Sequence, residues 1–281
     1  MTTTIEFAVD PVEPDSTARL AYERSGAGEP VLLLHGLGHR RQAWDPVSPA
    51  LRAHHELIAV DLPGFGESEP MPADIPADLS GYSTVLAAFC RALGLKRPHI
   101  VGNSLGGLIA LDMARLGHAS SVTAISPAGF WTPLSGRRAL AMAAYMRLGA
   151  RALPVPVIKK LARSPQGRFL LTSVVYAQPA RLAAEYAIDD TLGYRNCTGF
   201  EATLAQRHTL QLTGDITDVD VTVAWGEKDR MLPPRQAATV TRIVPEARLV
   251  SLPDCGHTPM VDDPELVTRV ILATTGRTTT R

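Results

Sequence analysis

Short apolar runs recur along the chain at residues 5–9, 19–23, 31–34, 57–60, 98–101, 122–125, 219–225 and 247–252, bounded mostly by Gly, Pro, Asp or Ser. Runs of this length between turn residues predict strands. From the third run onward, segments with apolar residues at helical spacing alternate with the strands. That alternation predicts an α/β fold with a mostly parallel eight-stranded sheet and helices on both faces. The pattern breaks between about Phe130 and Gln206, where no strand signal occurs and several helical stretches are separated by Pro154, Pro156, Pro165 and Pro179. A helical insertion after the sixth strand is expected there.

The chemistry lies at strand ends. Ser104 stands in Gly-Asn-Ser-Leu-Gly-Gly (residues 102–107), directly after the fifth predicted strand and before a helical run. A Gly-x-Ser-x-Gly stretch in that context is a nucleophile elbow, in which glycines permit a turn too tight for side chains and the serine hydroxyl is held out at the sheet's tip. A serine hydroxyl needs a base to take its proton and a third group to orient that base. His257, in Leu-Pro-Asp-Cys-Gly-His-Thr-Pro (252–259), follows the eighth strand, and Asp229, in Trp-Gly-Glu-Lys-Asp (225–229), follows the seventh. The chain order Ser104, Asp229, His257 and the placement of all three in loops after strands predict a catalytic triad. Asp254 is the second choice for the acid, and Asp262 and Asp263 read as N-caps of the last helix. Two backbone donors are expected for a tetrahedral oxyanion: the Leu105 amide, after the nucleophile, and the Leu37 amide, in His-Gly-Leu-Gly (35–38) after the third strand. His35 reads as structural, and His54, His55 and His99 as surface or strand-edge residues.

On these residues the chain resembles the α/β-hydrolases that carry a lid. The motifs are His-Gly-Leu-Gly (35–38), Asp-Leu-Pro-Gly-Phe-Gly-Glu-Ser (61–68), Gly-Asn-Ser-Leu-Gly-Gly (102–107), Trp-Gly-Glu-Lys-Asp (225–229) and Gly-His (256–257), in order along nearly the whole chain. The resemblance implies a core of residues 1–130 and 207–281 with a helical cap at 131–206, and gives Asp61 a structural turn rather than a catalytic task. It also implies acyl transfer to water through an acyl-enzyme, as in carboxylesterases, with no cofactor and no metal. The dehalogenase and epoxide hydrolase branches carry Asp at the elbow. The carbon–carbon hydrolases of ring-fission products share Asn103-Ser104, but they typically carry Trp after the histidine, where this chain has Thr258. The peroxide-using branch is generally capless. A non-hydrolytic, ligand-binding role is the alternative of a different class.

Composition narrows the partners. The formal net charge is +0, which gives no ground for nucleic-acid binding. No run is long and apolar enough to span a bilayer, and the first residues lack the basic start and apolar core of a secretion signal. Cys90, Cys197 and Cys255 are scattered without metal-type spacing, which fits a reduced, cytoplasmic setting. The insertion itself is basic: from Trp131 to Ala184 its charged residues are Arg137, Arg138, Arg147, Arg151, Lys159, Lys160, Arg163, Arg168 and Arg181, with no Asp or Glu. A helical projection of residues 137–151 puts the arginines on one broad side, facing water, and Ala139, Met142, Ala143 and Met146 on the other, over the site. That basic side is either a solvated surface or a contact for an acidic carrier protein, an anionic membrane or a charged substrate. Phe130, Trp131, Met142 and Met146 are expected to line an apolar pocket for a small-molecule substrate.

Overall fold

A computed structural model describes residues 2–10 and 16–276; the Thr-rich C-terminal end lies outside them. Eight strands form one sheet: β1 Thr3–Ala8, β2 Thr17–Gly26, β3 Pro30–Leu34, β4 Glu56–Val60, β5 His99–Asn103, β6 Ser121–Ile125, β7 Asp220–Gly226 and β8 Arg248–Leu252. Their spatial order is β1-β2-β4-β3-β5-β6-β7-β8. β2 runs antiparallel to both β1 and β4, and the remaining pairings are parallel.

The helices are α1 Ser48–Leu51, α2 Leu79–Ala92, α3 Leu105–Arg115, α4 Pro133–Ala152, α5 Val155–Ala162, α6 Pro165–Thr172, α7 Ala184–Asn196, α8 Phe200–Ala205, α9 Ala237–Ile243, α10 Pro259–Asp262 and α11 Pro264–Thr274. Strand alternation divides the core between the two sheet faces. Leu32 and Leu34 of β3 pack toward α2 and α3 with Leu86, Phe89, Leu108 and Leu111. Val31 and Leu33 pack on the other face with Trp44, Leu51 of α1, and Val267 and Ile271 of α11. Both faces of the central strands are therefore dry, as their unbroken apolar sequence requires.

α4 to α8 all fall between β6 and β7, and this segment holds no strand among the described residues. α5 packs on α6 and α7, and α4 on α7, so these helices bury much of their apolar surface against one another. Thr132 and Ser135 form a capping box at the start of α4, and Ser164 caps α6 through the Gly167 amide.

Candidate active site

Parallel register brings the functional loops to one edge. Leu34 lies beside Gly102, Asn103 beside Ile125, Ile125 beside Ala224, and Gly226 beside Leu252. β4 flanks β3 on one side and β5 on the other, so the connections leaving β3 and β5 diverge. A crevice opens at such a reversal, outside the carboxyl ends of the strands.

Ser104 occupies that crevice, between β5 and α3, with φ 55° and ψ −114°. Such a conformation costs a non-glycine residue about 1–3 kcal/mol and persists only when its surroundings impose it. The Ser104 amide donates to the Ile125 carbonyl at 2.9 Å, and its own carbonyl accepts from Leu108 and Ala128 at 3.1 and 3.0 Å. The flanking glycines are needed for close approach. A Cβ on Gly102 would lie 2.1 Å from the Gly106 oxygen, and one on Gly106 would lie 2.3 Å from the Leu34 oxygen.

His257 and Asp229 meet in the same crevice. His257 Nδ1 lies 2.8 Å from Asp229 Oδ2. Asp229 Oδ1 accepts the amides of Met231 and Leu232 at 2.9 and 2.8 Å, which fixes the carboxyl plane. Oδ2 then accepts the ring N–H, and His257 Nε2 is left as the nitrogen with a free lone pair. The Trp225 indole donates to the Leu232 carbonyl at 2.9 Å and braces the loop that carries Asp229. Asp254 takes no part: it is exposed and pairs with Lys228 at 2.5 Å.

Leu37 and Leu105, the two expected amide donors, lie on the same cavity. Leu105 is the first residue of α3, where an amide has no carbonyl one turn back to bond. In the loop after β3, His39 N–H donates to the Gly36 carbonyl at 3.1 Å, and Gly38 has φ 80°. This is a type II turn with glycine at its left-handed position, and its own hydrogen bond leaves the Leu37 amide unused. Asn103, Ser104 and His257 line it too.

Residues 31–270 match the family model described as "Alpha/beta hydrolase family". The chain belongs to this family. It is 29% identical to the dihydrolipoyllysine-residue acetyltransferase component of the acetoin cleaving system of Pseudomonas putida over 88% of its length, and spans 63% of that protein. It is 28% identical to Lipase 1 of Psychrobacter immobilis, covering 87% of this chain and 76% of the lipase. An epoxide hydrolase of Mycobacterium tuberculosis is 35% identical over 64% of this chain and 86% of its own. Among solved structures, a thermophilic esterase from Thermogutta terrifontis superposes with a TM-score of 0.72 at 24% identity, covering 96% of this chain and 97% of the esterase. The 2-hydroxy-6-oxo-6-phenylhexa-2,4-dienoate hydrolase of a Rhodococcus strain gives 0.73 at 21% identity, over 98% and 100% of the two chains. These two likenesses are of fold.

In this α/β-hydrolase two of the four residues expected to line the pocket do so. Trp131 and Met146 line the cavity, but Phe130 and Met142 do not. Phe130 is buried in the core beneath it. The α4 residues that reach the cavity are Ala139, Leu140, Ala143 and Met146; Met142 stands roughly 100° round the helix from Ala143. Arg147, expected in water, is 4% exposed. His55 is not a surface residue either: its ring is buried against Thr275 at 2.8 Å. Asp263 caps α11 through the Leu266 amide. Asp262 instead accepts the amides of Gly256, Ala177 and Gln178, and so fastens the His257 loop to the segment after α6. The His257 amide donates to the Val175 carbonyl at 2.8 Å, a second link to that segment.

The buried titratable groups nearby are quiet. His35 Nε2 accepts the Leu62 amide and Nδ1 faces the Gly36 carbonyl, so its ring holds two loops together, and burial lowers its pKa to about 4. Asp61 is buried under Arg41 and the Glu67 amide, in a turn away from the serine. Burial, then nearby acids, push the Cys255 thiol up to about 12, so it carries no thiolate at neutral pH. Among the described residues no group of three or more His, Cys, Asp or Glu is placed to hold a metal ion.

Sequence reading gave Asn103 no structural task. Its side-chain amide donates to the carbonyls of Ile125 at 3.1 Å and His257 at 2.9 Å, tying the serine strand to the histidine loop. Asn103→Ala is expected to lower kcat about tenfold or more with KM little changed, because a misplacement of about 1 Å in the reacting groups can cost a hundredfold. Steady-state kinetics on a short ester would check it.

Proposed function

We propose that this protein is a serine hydrolase that cleaves an ester or related acyl bond of a largely apolar substrate through Ser104, His257 and Asp229. The observation that carries the reading is the 2.8 Å Asp229–His257 contact in the cavity that also holds Ser104 on its strained turn. Asp229 holds His257 with Nδ1 protonated, so that Nε2 takes the Ser104 proton as Oγ attacks the carbonyl carbon. The Leu37 and Leu105 amides receive the negative charge on the carbonyl oxygen. The imidazolium then gives its proton to the leaving alcohol, and an acyl-Ser104 ester remains. Water, deprotonated by Nε2, attacks that ester, and the acid and free serine are released. Ser104 stands where an epoxide-opening carboxylate would be needed, and Thr258 follows His257, so ester cleavage is favoured over epoxide or carbon–carbon cleavage. Lipase 1 and the Thermogutta esterase are similar proteins named for that chemistry. Residues 131–206 serve as the cap, with core 1–130 and 207–281, since Trp131, Ala143, Met146, Val175 and Tyr194 wall the cavity.

A fluorophosphonate probe is expected to label Ser104 and to abolish turnover of p-nitrophenyl acetate or butyrate in step with labelling. Labelling without any ester turnover, together with carbon–carbon cleavage of a ring-fission product, would replace the ester reading.

The same reading extends to where the substrate is met. On α4 the outward stripe is Leu134, Arg138, Ala141, Tyr145 and Leu148, in which Leu134, Tyr145 and Leu148 are 78, 71 and 68% exposed. Phe169 and Leu170 of α6 are also exposed, and Arg137, Lys159, Lys160 and Arg163 stand in solvent nearby in sequence. Apolar side chains among cations, on α4, α5 and α6, which carry no Asp or Glu, suit an anionic lipid surface. No helix of the described residues is long and apolar enough to cross a membrane, so the contact proposed is with the surface. The chain is expected to co-sediment with phosphatidylglycerol vesicles and not with phosphatidylcholine. Tyr145→Glu with Leu148→Glu should remove that binding, and about 1 M salt should weaken it by screening. Binding to neither vesicle would leave the stripe without a lipid role.

A further inference from the structure

A second cavity, partly open to solvent, adjoins the first between α4, α6 and α7. The two share four wall residues, His39, Met146, Val175 and Tyr194, so a single layer of side chains separates them. Of those four, Met146 has the most adaptable side chain. It is unbranched, with three rotatable bonds, and only half-buried. Tyr194 is held in place, because its ring packs on the Gly38 turn, where a Cβ would come within 2.1 Å of it.

The far cavity is mostly apolar, with Leu153, Leu170, Leu171 and Val174 in its walls. No Lys or Arg lines it while Asp190 does, so an anionic group would find no counter-charge there. Gly149 lies in its wall, inside α4, and a Cβ at that position would meet no atom within 4 Å. Glycine weakens a helix interior relative to alanine. At this position it leaves free volume facing the cavity.

We propose that the second cavity is an acyl-chain site, which takes the distal methylenes of a medium- or long-chain ester once Met146 swings aside. The inference rests on the acyl-transfer reading above. The proximal carbons stay beside Ser104, the chain passes between Tyr194 and Val175, and its end lies between α4 and α6. Each methylene removed from water favours binding about fourfold, so an open second cavity makes the enzyme discriminate strongly by chain length.

The test is the ratio of kcat/KM for p-nitrophenyl decanoate to that for p-nitrophenyl acetate. Gly149→Phe is expected to lower this ratio at least tenfold relative to Gly149→Ala, which gains the same helix propensity without filling the cavity. Gly149→Leu serves in its place if the phenylalanine variant does not fold. Met146→Ala is expected to raise the ratio, and adding Gly149→Phe should cancel that rise. A folded Gly149→Phe protein with a ratio within about twofold of Gly149→Ala would overturn the assignment. Failure of the underlying reading looks different: no variant turns over any ester, and the fluorophosphonate does not label Ser104. Calorimetric binding of decanoate then decides the cavity alone. Binding lost in Gly149→Phe supports the site, and equal binding in the two Gly149 variants overturns it.

Discussion

Ser104→Ala, His257→Ala and Asp229→Asn are each expected to lower kcat for a short ester by roughly 10³ or more, with the fold retained. The three losses have different causes. Alanine at 104 removes the attacking oxygen but relieves no packing, since Ser104 faces the cavity. Alanine at 257 removes the base while the loop stays pinned by its backbone bond to Val175 and by Asp262. Asparagine at 229 preserves the oxygen that accepts from Met231 and Leu232, but it turns an N–H toward His257 Nδ1. The ring then keeps its proton on the other nitrogen, and the base points its lone pair away from the serine. Because the groups act as a unit, double variants should lose no more than the worst single one. Asp254→Asn is the control: an exposed carboxylate paired with Lys228 should leave kcat within about twofold of wild type. Near-normal turnover in Asp229→Asn would remove Asp229 from its role.

Much of this geometry was legible because it is encoded locally. Each of the eight strands shows as a short apolar run with turn residues at its ends, and the elbow, the Gly-His and the Trp-Gly-Glu-Lys-Asp segments each sit just past one of them. The order of strands in the sheet was not legible, since it depends on which crossover goes left or right of β3. Contacts across long separations were equally silent. Asn103 bonding His257, Asp262 bonding Ala177, and His55 buried on Thr275 are products of tertiary packing with no local signature. The α4 error has another origin. Arg147 was grouped with the other arginines by charge, although it continues the stripe Gly136, Ala139, Ala143, Arg147, Ala150 that faces inward. Spacing and polarity disagreed at that position, and spacing decided. The outward stripe consequently carries Leu134, Tyr145 and Leu148.

Arg147→Ala is expected to destabilise the protein by about 3 kcal/mol, since it leaves two carbonyl acceptors without their charged donor at about 1–3 kcal/mol each, whereas Arg151→Ala should cost under about 1 kcal/mol. Both arginines reach Glu201, but they are in different environments. Arg151 is half-exposed and its 2.7 Å pair is open to water. Arg147 is buried, its guanidinium stacked 5.2 Å over the Phe200 ring, and it donates to the Cys197 carbonyl at 2.6 Å and to the Tyr194 carbonyl. Those carbonyls end α7, so Arg147 satisfies groups that a helix C-terminus leaves unpaired and places a cation at the negative end of its dipole. Alanine would strand both carbonyls and the buried face of Phe200. Lysine should not rescue, because a single ammonium cannot reach Tyr194, Cys197 and Glu201 in the planar fork that guanidinium offers. For a chain of this size the loss corresponds to a Tm lower by roughly 5–10 °C, or to a separate early transition if α4 to α8 melt before the sheet. Activity should fall with it even below that transition. Tyr194 packs on the Gly38 turn beside Leu37 and walls both cavities, so a loosened α7 end reaches the Leu37 amide directly. Thermal melts of the two alanine variants and of Arg147→Lys would check the ranking. Equal, small shifts for Arg147→Ala and Arg151→Ala would show that the buried guanidinium adds no more to α7 than its solvated neighbour does.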